Sequence, residues 1–160
     1  MIEPMSVDLE KTVRENLDNT VHMSLGTSKD NTPWVCEVHF AYDKDLNLYW
    51  RSKPSRRHSQ DIAANPNVAG NIVRQHALGE YPLGVYFEGT AELLGSDEQQ
   101  VAYECLSQRL GLGEKILEDA AQEDGHKFYK VTVKNWYVFG KLEEEKGGQK
   151  YQLNWNGNKK

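Results

Sequence analysis

Apolar and polar residues alternate along much of this chain, and the alternation predicts a succession of strands. Over residues 20–27, Val21, Met23 and Leu25 oppose His22, Ser24 and Gly26, the period-two pattern of a half-buried strand. Residues 34–42 repeat it, with Trp34, Cys36, Val38 and Phe40 on one side. A third run, 46–50, ends at Trp50, and residues 68–74 read as a fourth. The longest candidate is 83–94, where Val85, Phe87, Gly89, Ala91 and Leu93 alternate against Tyr86, Glu88, Thr90 and Glu92. Residues 127–133 and 136–139 read as strand with a bend at Lys134 and Asn135, and 151–155 as a last edge strand. Turn-rich clusters at 28–33, 43–45, 75–82 and 143–148 separate these runs.

Helical spacing is confined to four stretches. Ser6 is placed to cap a first helix, with Asp8 and Glu10 in its opening turn and Leu9, Val13 and Leu17 on one face. Ser55 is placed to cap a short helix that Asn65 and Pro66 end, because proline disfavours helical geometry in the residue before it. Ser96, Asp97, Glu98 and Gln99 form a capping-box sequence for a helix reaching Arg109. Gly111 and Gly113 interrupt it, and residues 114–122 form a further helical piece. Strands that follow one another without strand–helix–strand spacing predict a mainly β, α+β domain, an antiparallel barrel with helices at its rim. One domain accounts for residues 1–160: a helix over 1–19, a core over 20–140 and an extension over 143–160.

The chain has 160 residues, 38% of them hydrophobic, with four Trp and eight Tyr, which is enough to bury a core. Its formal charge of −5 argues against nucleic acid, whose backbone needs a basic face. No stretch approaches the ~20 apolar residues of a membrane span, and the acidic start lacks an apolar signal core. Cys36 and Cys105 read as free thiols, which points to the cytoplasm.

Against this acidic background the segment 51–58 is basic. Arg51, Lys53, Arg56, Arg57 and His58 occupy a strand-to-helix turn with no acid among them. Helix-start amides, the positive end of the helix dipole and two adjacent arginines make an anion site, and the planar arginine fork suits phosphate. The alternative is a solvated basic turn.

Other chemistry is not supported. Gly111 and Gly113 lack the third glycine of a dinucleotide fingerprint, and no serine sits in a Gly-x-Ser-x-Gly elbow. The histidines at 22, 39, 58, 76 and 126 make no pair at metal spacing, so no metal is assigned.

At the 50–73 segment the chain resembles the pyridoxamine 5'-phosphate oxidase-like split-barrel flavoproteins. The likeness rests on Trp50 ending a strand, on Ser55, Arg56 and Arg57, and on the helix stop at Asn65 and Pro66 before the strand-like 67–73. It covers residues 20–140 and implies a six-stranded antiparallel split β-barrel of Greek-key type. It implies FMN as cofactor, with Arg56 and Arg57 on the phosphate; Arg57 stands where lysine is usual. By the same resemblance Ser55 and His58 assist there, and Arg51 and Ser52 reach the ribityl chain or phosphate. Val35, Cys36, Glu37 and Val38 line the flavin, and Trp50 contacts it. The family builds this pocket between two subunits, which implies a homodimer with Trp136 or Phe139 near the partner's ring. These aromatics can equally fill the barrel or a subunit interface. Two substrate-gripping motifs of true pyridoxamine phosphate oxidases are missing, both after the long helix and at the C-terminus. Gly84 also stands where a flavin-contacting glutamine is usual. The resemblance therefore implies an FMN-dependent oxidoreductase on another small molecule. The alternatives are a deazaflavin, a haem ligated by His22, His39 or His76, or a non-catalytic binding module.

Overall fold

The computed structural model describes residues 8–140 and 151–155. Within them the order is α1 (Leu9–Asp18), β1 (His22–Lys29), β2 (Thr32–His39), β3 (Ala41–Tyr42), β4 (Leu48–Ser52), α2 (Arg57–Ala64) and β5 (Asn67–Val73). There follow β6 (Gly84–Leu93), α3 (Gln99–Leu110), α4 (Lys115–Ala121), β7 (Lys127–Phe139) and β8 (Tyr151–Asn154). The strands join one antiparallel sheet in the order β2-β1-β5-β6-β7-β4-β3, and β8 also pairs with β7. Strands β1 and β5, like β4 and β7, are neighbours without being consecutive. This Greek-key crossover curls the sheet into a split barrel.

The barrel closes because alternate side chains point inward. Met23 and Leu25 from β1, Ile72 from β5, Val85 and Phe87 from β6, and Val131, Val133 and Trp136 from β7 form one core. Val13 and Leu17 of α1 lie against it, fully buried. Strand β4 is buried on both faces. Leu48 and Trp50 enter the barrel, while Tyr49 joins a second cluster with Ala102 and Leu106 of α3, Ile116 of α4 and Phe128. At Gly70 a Cβ would fall 2.2 Å from the Ser24 carbonyl oxygen and 2.5 Å from the Phe87 ring, so β1 and β6 can close on β5 only around glycine.

The predicted bend in the last long strand is a β-bulge. Glu88 faces Asn135 and Gly89 faces Val133, leaving Lys134 unopposed. The extra residue shifts the inward set from Val131 and Val133 to Trp136 and Val138, which is why the sequence reads as two runs.

Several expectations are corrected. Asp8, not Ser6, caps α1, its carboxylate accepting from the Lys11 amide at 3.0 Å; Ser6 lies outside the described residues. The run from 46 becomes strand only at Leu48, because Leu46 takes φ +60° in a turn and donates its amide to Asp43 O at 3.0 Å. The run 34–42 divides around Phe40 into β2 and β3. The edge strand expected over 151–155 is β8, paired with β7. The capping-box tetrad does not start α3 at Ser96. Residues 96–98 turn first, with the Glu98 amide on Gly95 O at 3.0 Å, and the helix begins at Gln99. The extension is described only at 151–155; residues 141–150 and 156–160 lie outside the described set. Among the described residues no helix is long and apolar enough to cross a membrane.

Candidate functional site

The basic segment lies where the sequence puts it, on the turn from β4 into α2. Ser52, the last residue of β4 and nearly buried, pairs its Oγ with His58 Nε2 at 2.7 Å across the turn. The Arg56 amide closes the turn on Lys53 O at 3.0 Å. Helix α2 begins at Arg57, so Arg56 and not Ser55 holds the N-cap position, with extended backbone (φ −69°, ψ 148°). Ser55 is exposed on the turn and makes no cap. With no side-chain cap at all, the first amides of α2 keep their donors for an external acceptor.

The cations of the segment divide into two sets. Arg51 is tied to Asp119 of α4, with its terminal nitrogen 2.5 Å from Oδ2. Lys53 meets Asp124 at 2.9 Å. Arg51, expected on the ribityl chain or phosphate, and Lys53 are thus already countered from α4 and the turn after it. Arg56 and Arg57 stay exposed at the helix start. The Arg57 guanidinium lies 4.4 Å from the Trp34 ring centre, and its Nε is 3.8 Å from Asp61.

Beside this turn a cleft of about 510 Å³ opens between β2 and α3. Glu37, Val38 and His39 form its β2 wall, and Leu106, Leu110 and Leu112 its apolar wall. Arg51 and His126 complete the lining. Asp119 organises this end, accepting from the His126 amide at 3.0 Å and contacting His126 Nδ1 at 3.2 Å as well as holding Arg51. These donors keep the Asp119 carboxyl below its usual range, the His126 amide contributing most.

Of the residues singled out in the sequence, Glu37, Val38 and Arg51 meet in the cleft, and Ser52, Arg56, Arg57 and His58 meet at the turn. Val35 is 64% exposed on the outer edge of β2. Cys36 is half-buried; burial first, and then Glu37, pushes its thiol up to about 11, so it carries no reactive thiolate. Trp50 and Trp136 take the other reading of the aromatics. Both are fully buried in the barrel, Trp50 stacked on Tyr129 at 5.3 Å, and neither offers surface to a ligand. Phe139 stacks on Tyr86 at 4.4 Å near the end of β7. At Gly84 a Cβ would sit 2.6 Å from Ile72 O and 2.8 Å from the Phe139 ring, which excludes the glutamine usual there. Sequence reasoning missed Trp34, Asp119, His126 and the α3 leucines as site residues. The leucines carried only a helical-core signal, and the others carried none.

His58 titrates below the usual imidazole value, chiefly because it is half-buried, then because Arg56 is close; Asp61 pulls the other way. An unfolded imidazole, near ~6.5, therefore takes up its proton first. Stability is fully present above that value and falls as pH drops through it toward the folded value. The loss of stability between about pH 7.5 and about pH 5.5, read from urea midpoints, is expected to be smaller in His58→Gln than in the native protein. An identical loss in both would remove His58 from this role.

The family model for pyridoxamine 5'-phosphate oxidase matches residues 9–140, from the first residue of α1 to just beyond β7. The chain belongs to the pyridoxamine 5'-phosphate oxidase-like family. No curated protein matches its sequence. Among solved structures, a haem-binding protein from Mycobacterium smegmatis superposes with a TM-score of 0.70 at 14% identity, covering 98% of this chain and 60% of that one. The haem storage protein HutZ from Vibrio cholerae gives 0.66 at 16% identity, covering 82% and 95%. An FAD-binding protein from Mesorhizobium loti gives 0.62 at 22%, covering 82% and 92%. At these identities the likeness is one of fold.

Proposed function

We propose that this chain binds FMN and acts as a flavin-dependent oxidoreductase on a small molecule other than pyridoxamine phosphate. The observation that carries the reading is the division of charge at the β4–α2 turn. Arg51 and Lys53 are neutralised by Asp119 and Asp124, while Arg56 and Arg57 remain at an uncapped helix start. Such a start offers two guanidinium forks and free amides to a phosphate dianion. The cleft supplies what a flat ring needs, apolar walls from Val38, Leu106 and Leu110 with polar groups at its margin. β2 runs from Trp34 beside the turn to His39 in the cleft, so one strand joins the phosphate end of the proposed site to its ring end.

Bound FMN supplies the redox chemistry, and the chain binds, orients and screens it. Arg56 and Arg57 hold the phosphate, with Ser52 and His58 fixing the turn that presents them. Glu37 and His39 offer hydrogen-bond partners at the ring's edge. Homodimerisation belongs to the same proposal: β2 is an edge strand whose Trp34 and Val35 are 41% and 64% exposed. Two unlinked cysteines support a reducing, cytoplasmic setting.

An absorbance spectrum taken before and after adding FMN, with the excess removed, tests the reading. Flavin bands retained at about one per chain are expected for a dissociation constant of about 1 μM or tighter; a colourless protein that ignores FMN overturns it. Haem is the second reading, favoured by one observation. Of the three histidines that could ligate iron, only His39 lines the cleft, with its ring stacked on His22, whereas His76 bonds Arg74 O. A Soret band on adding haemin that His39→Ala abolishes would decide for it.

A further inference from the structure

We propose that Trp34 and Asp61 position Arg57 for the phosphate, and so make the site selective for a phosphorylated flavin over the same flavin without its phosphate. This rests on the flavin reading above and extends it to two residues that touch no ligand themselves.

Trp34 is out of place as a packing residue. It sits on the exposed stretch of the edge strand β2, joins neither hydrophobic cluster and is 41% exposed. Its ring lies instead under the Arg57 guanidinium, 4.4 Å from centre to carbon. An aromatic face attracts a cation and fixes the plane in which its donors lie.

Asp61 supplies the second constraint. It is 3% exposed, and its Oδ2 accepts from the Thr27 hydroxyl at 2.9 Å, which ties α2 to β1. The same oxygen faces Arg57 Nε at 3.8 Å, one helical turn back. A buried carboxylate is costly unless it is hydrogen-bonded and paired, so Asp61 draws the Nε edge of Arg57 toward it as an ion pair, at a distance too long for a hydrogen bond. The closest approach to Asp61 is through Nε, and the two terminal amino groups make the fork that matches a phosphate. Arg57 is therefore held by a strand on one side and a helix carboxylate on another. An arginine ordered before its ligand arrives loses less freedom on binding.

The test is calorimetric titration of FMN and, separately, of riboflavin into the native protein, Trp34→Leu, Trp34→Phe and Asp61→Asn, with folding checked by circular dichroism. Riboflavin presents the ring and ribityl chain without the phosphate. Trp34→Leu and Asp61→Asn are expected to weaken FMN binding by about tenfold, the scale of a partly desolvated cation–π contact, and to leave riboflavin within about twofold. Trp34→Phe keeps an aromatic face and is expected to restore most of the FMN affinity. FMN affinity unchanged in Trp34→Leu overturns the proposal and leaves the flavin reading standing. An equal loss of FMN and riboflavin also overturns it, because the ring would then be acting on the flavin or the fold. A native protein that binds neither flavin removes the reading and the proposal together.

Discussion

Charge reversal at Arg57 (Arg57→Glu) is expected to strip FMN from the purified protein while leaving it folded. The side chain is 45% exposed and lies between the partly exposed Trp34 ring and Asp61, so its replacement empties no core. The new carboxylate would stand one turn from Asp61 and take away its cation, a cost to the fold that the Thr27 hydroxyl bonded to Asp61 limits. The larger effect is on the ligand. Removing one partner of a hydrogen-bonded charge pair costs about 2–5 kcal/mol, and a negative group beside a phosphate adds repulsion, so affinity should fall by at least about a hundredfold. Arg57→Lys keeps the charge but loses the fork, and its affinity should lie between the two. Flavin absorbance after gel filtration reads the result, with circular dichroism reporting the fold. Stoichiometric FMN retained by Arg57→Glu would move the phosphate site elsewhere.

The parts of the fold legible in the sequence are those where one face of a strand meets the core. β1 and β6 show this: Met23, Leu25, Val85 and Phe87 alternate in the chain and are buried in the barrel. The bulge at Lys134 was legible for the same reason, since an inserted residue changes the phase of the inward set. Phase alone misleads at the sheet's edge. Trp34 alternates in step with Cys36 and Val38, yet at that end its ring meets the Arg57 guanidinium and not the core, and it stays exposed. β4 fails differently, because helices cover the outer face that a lone barrel would leave to water.

The site was legible as a cluster of cations and not as an arrangement. Arg51 and Asp119 are 68 residues apart, and Lys53 and Asp124 are 71 apart, so no local pattern shows which charges are already answered. Cap position is equally invisible at single-residue resolution. Ser55 has the right chemistry, but the turn closes through Lys53 and Arg56 and starts the helix one residue later than a Ser55 cap would need. What selects the anion site is therefore tertiary: Asp119 of α4 and Asp124 of the turn after it counter Arg51 and Lys53, while Arg56 and Arg57 stay exposed at the helix start.

Trp50→Ala is expected to destabilise the protein by about 3–5 kcal/mol, the range for removing a buried Trp or Phe ring. Trp50 has no exposed surface and stacks on Tyr129 of the neighbouring strand β7. Its truncation leaves a void between two strands whose register is fixed along their length, so little can relax into it. For a chain of this size the loss corresponds to about 10 °C in Tm. Trp50→Phe separates packing from ligand contact. The indole N–H finds no acceptor, so a phenyl ring forfeits volume and no hydrogen bond, and a loss well below that of the alanine variant is expected. Because the ring faces the barrel interior while the cleft lies outside it, Trp50→Phe should keep its FMN affinity. A variant of native stability that had lost its flavin would instead put Trp50 on the cofactor. Thermal melts and FMN titrations of the same two variants distinguish those outcomes, since burial predicts that stability moves and affinity does not.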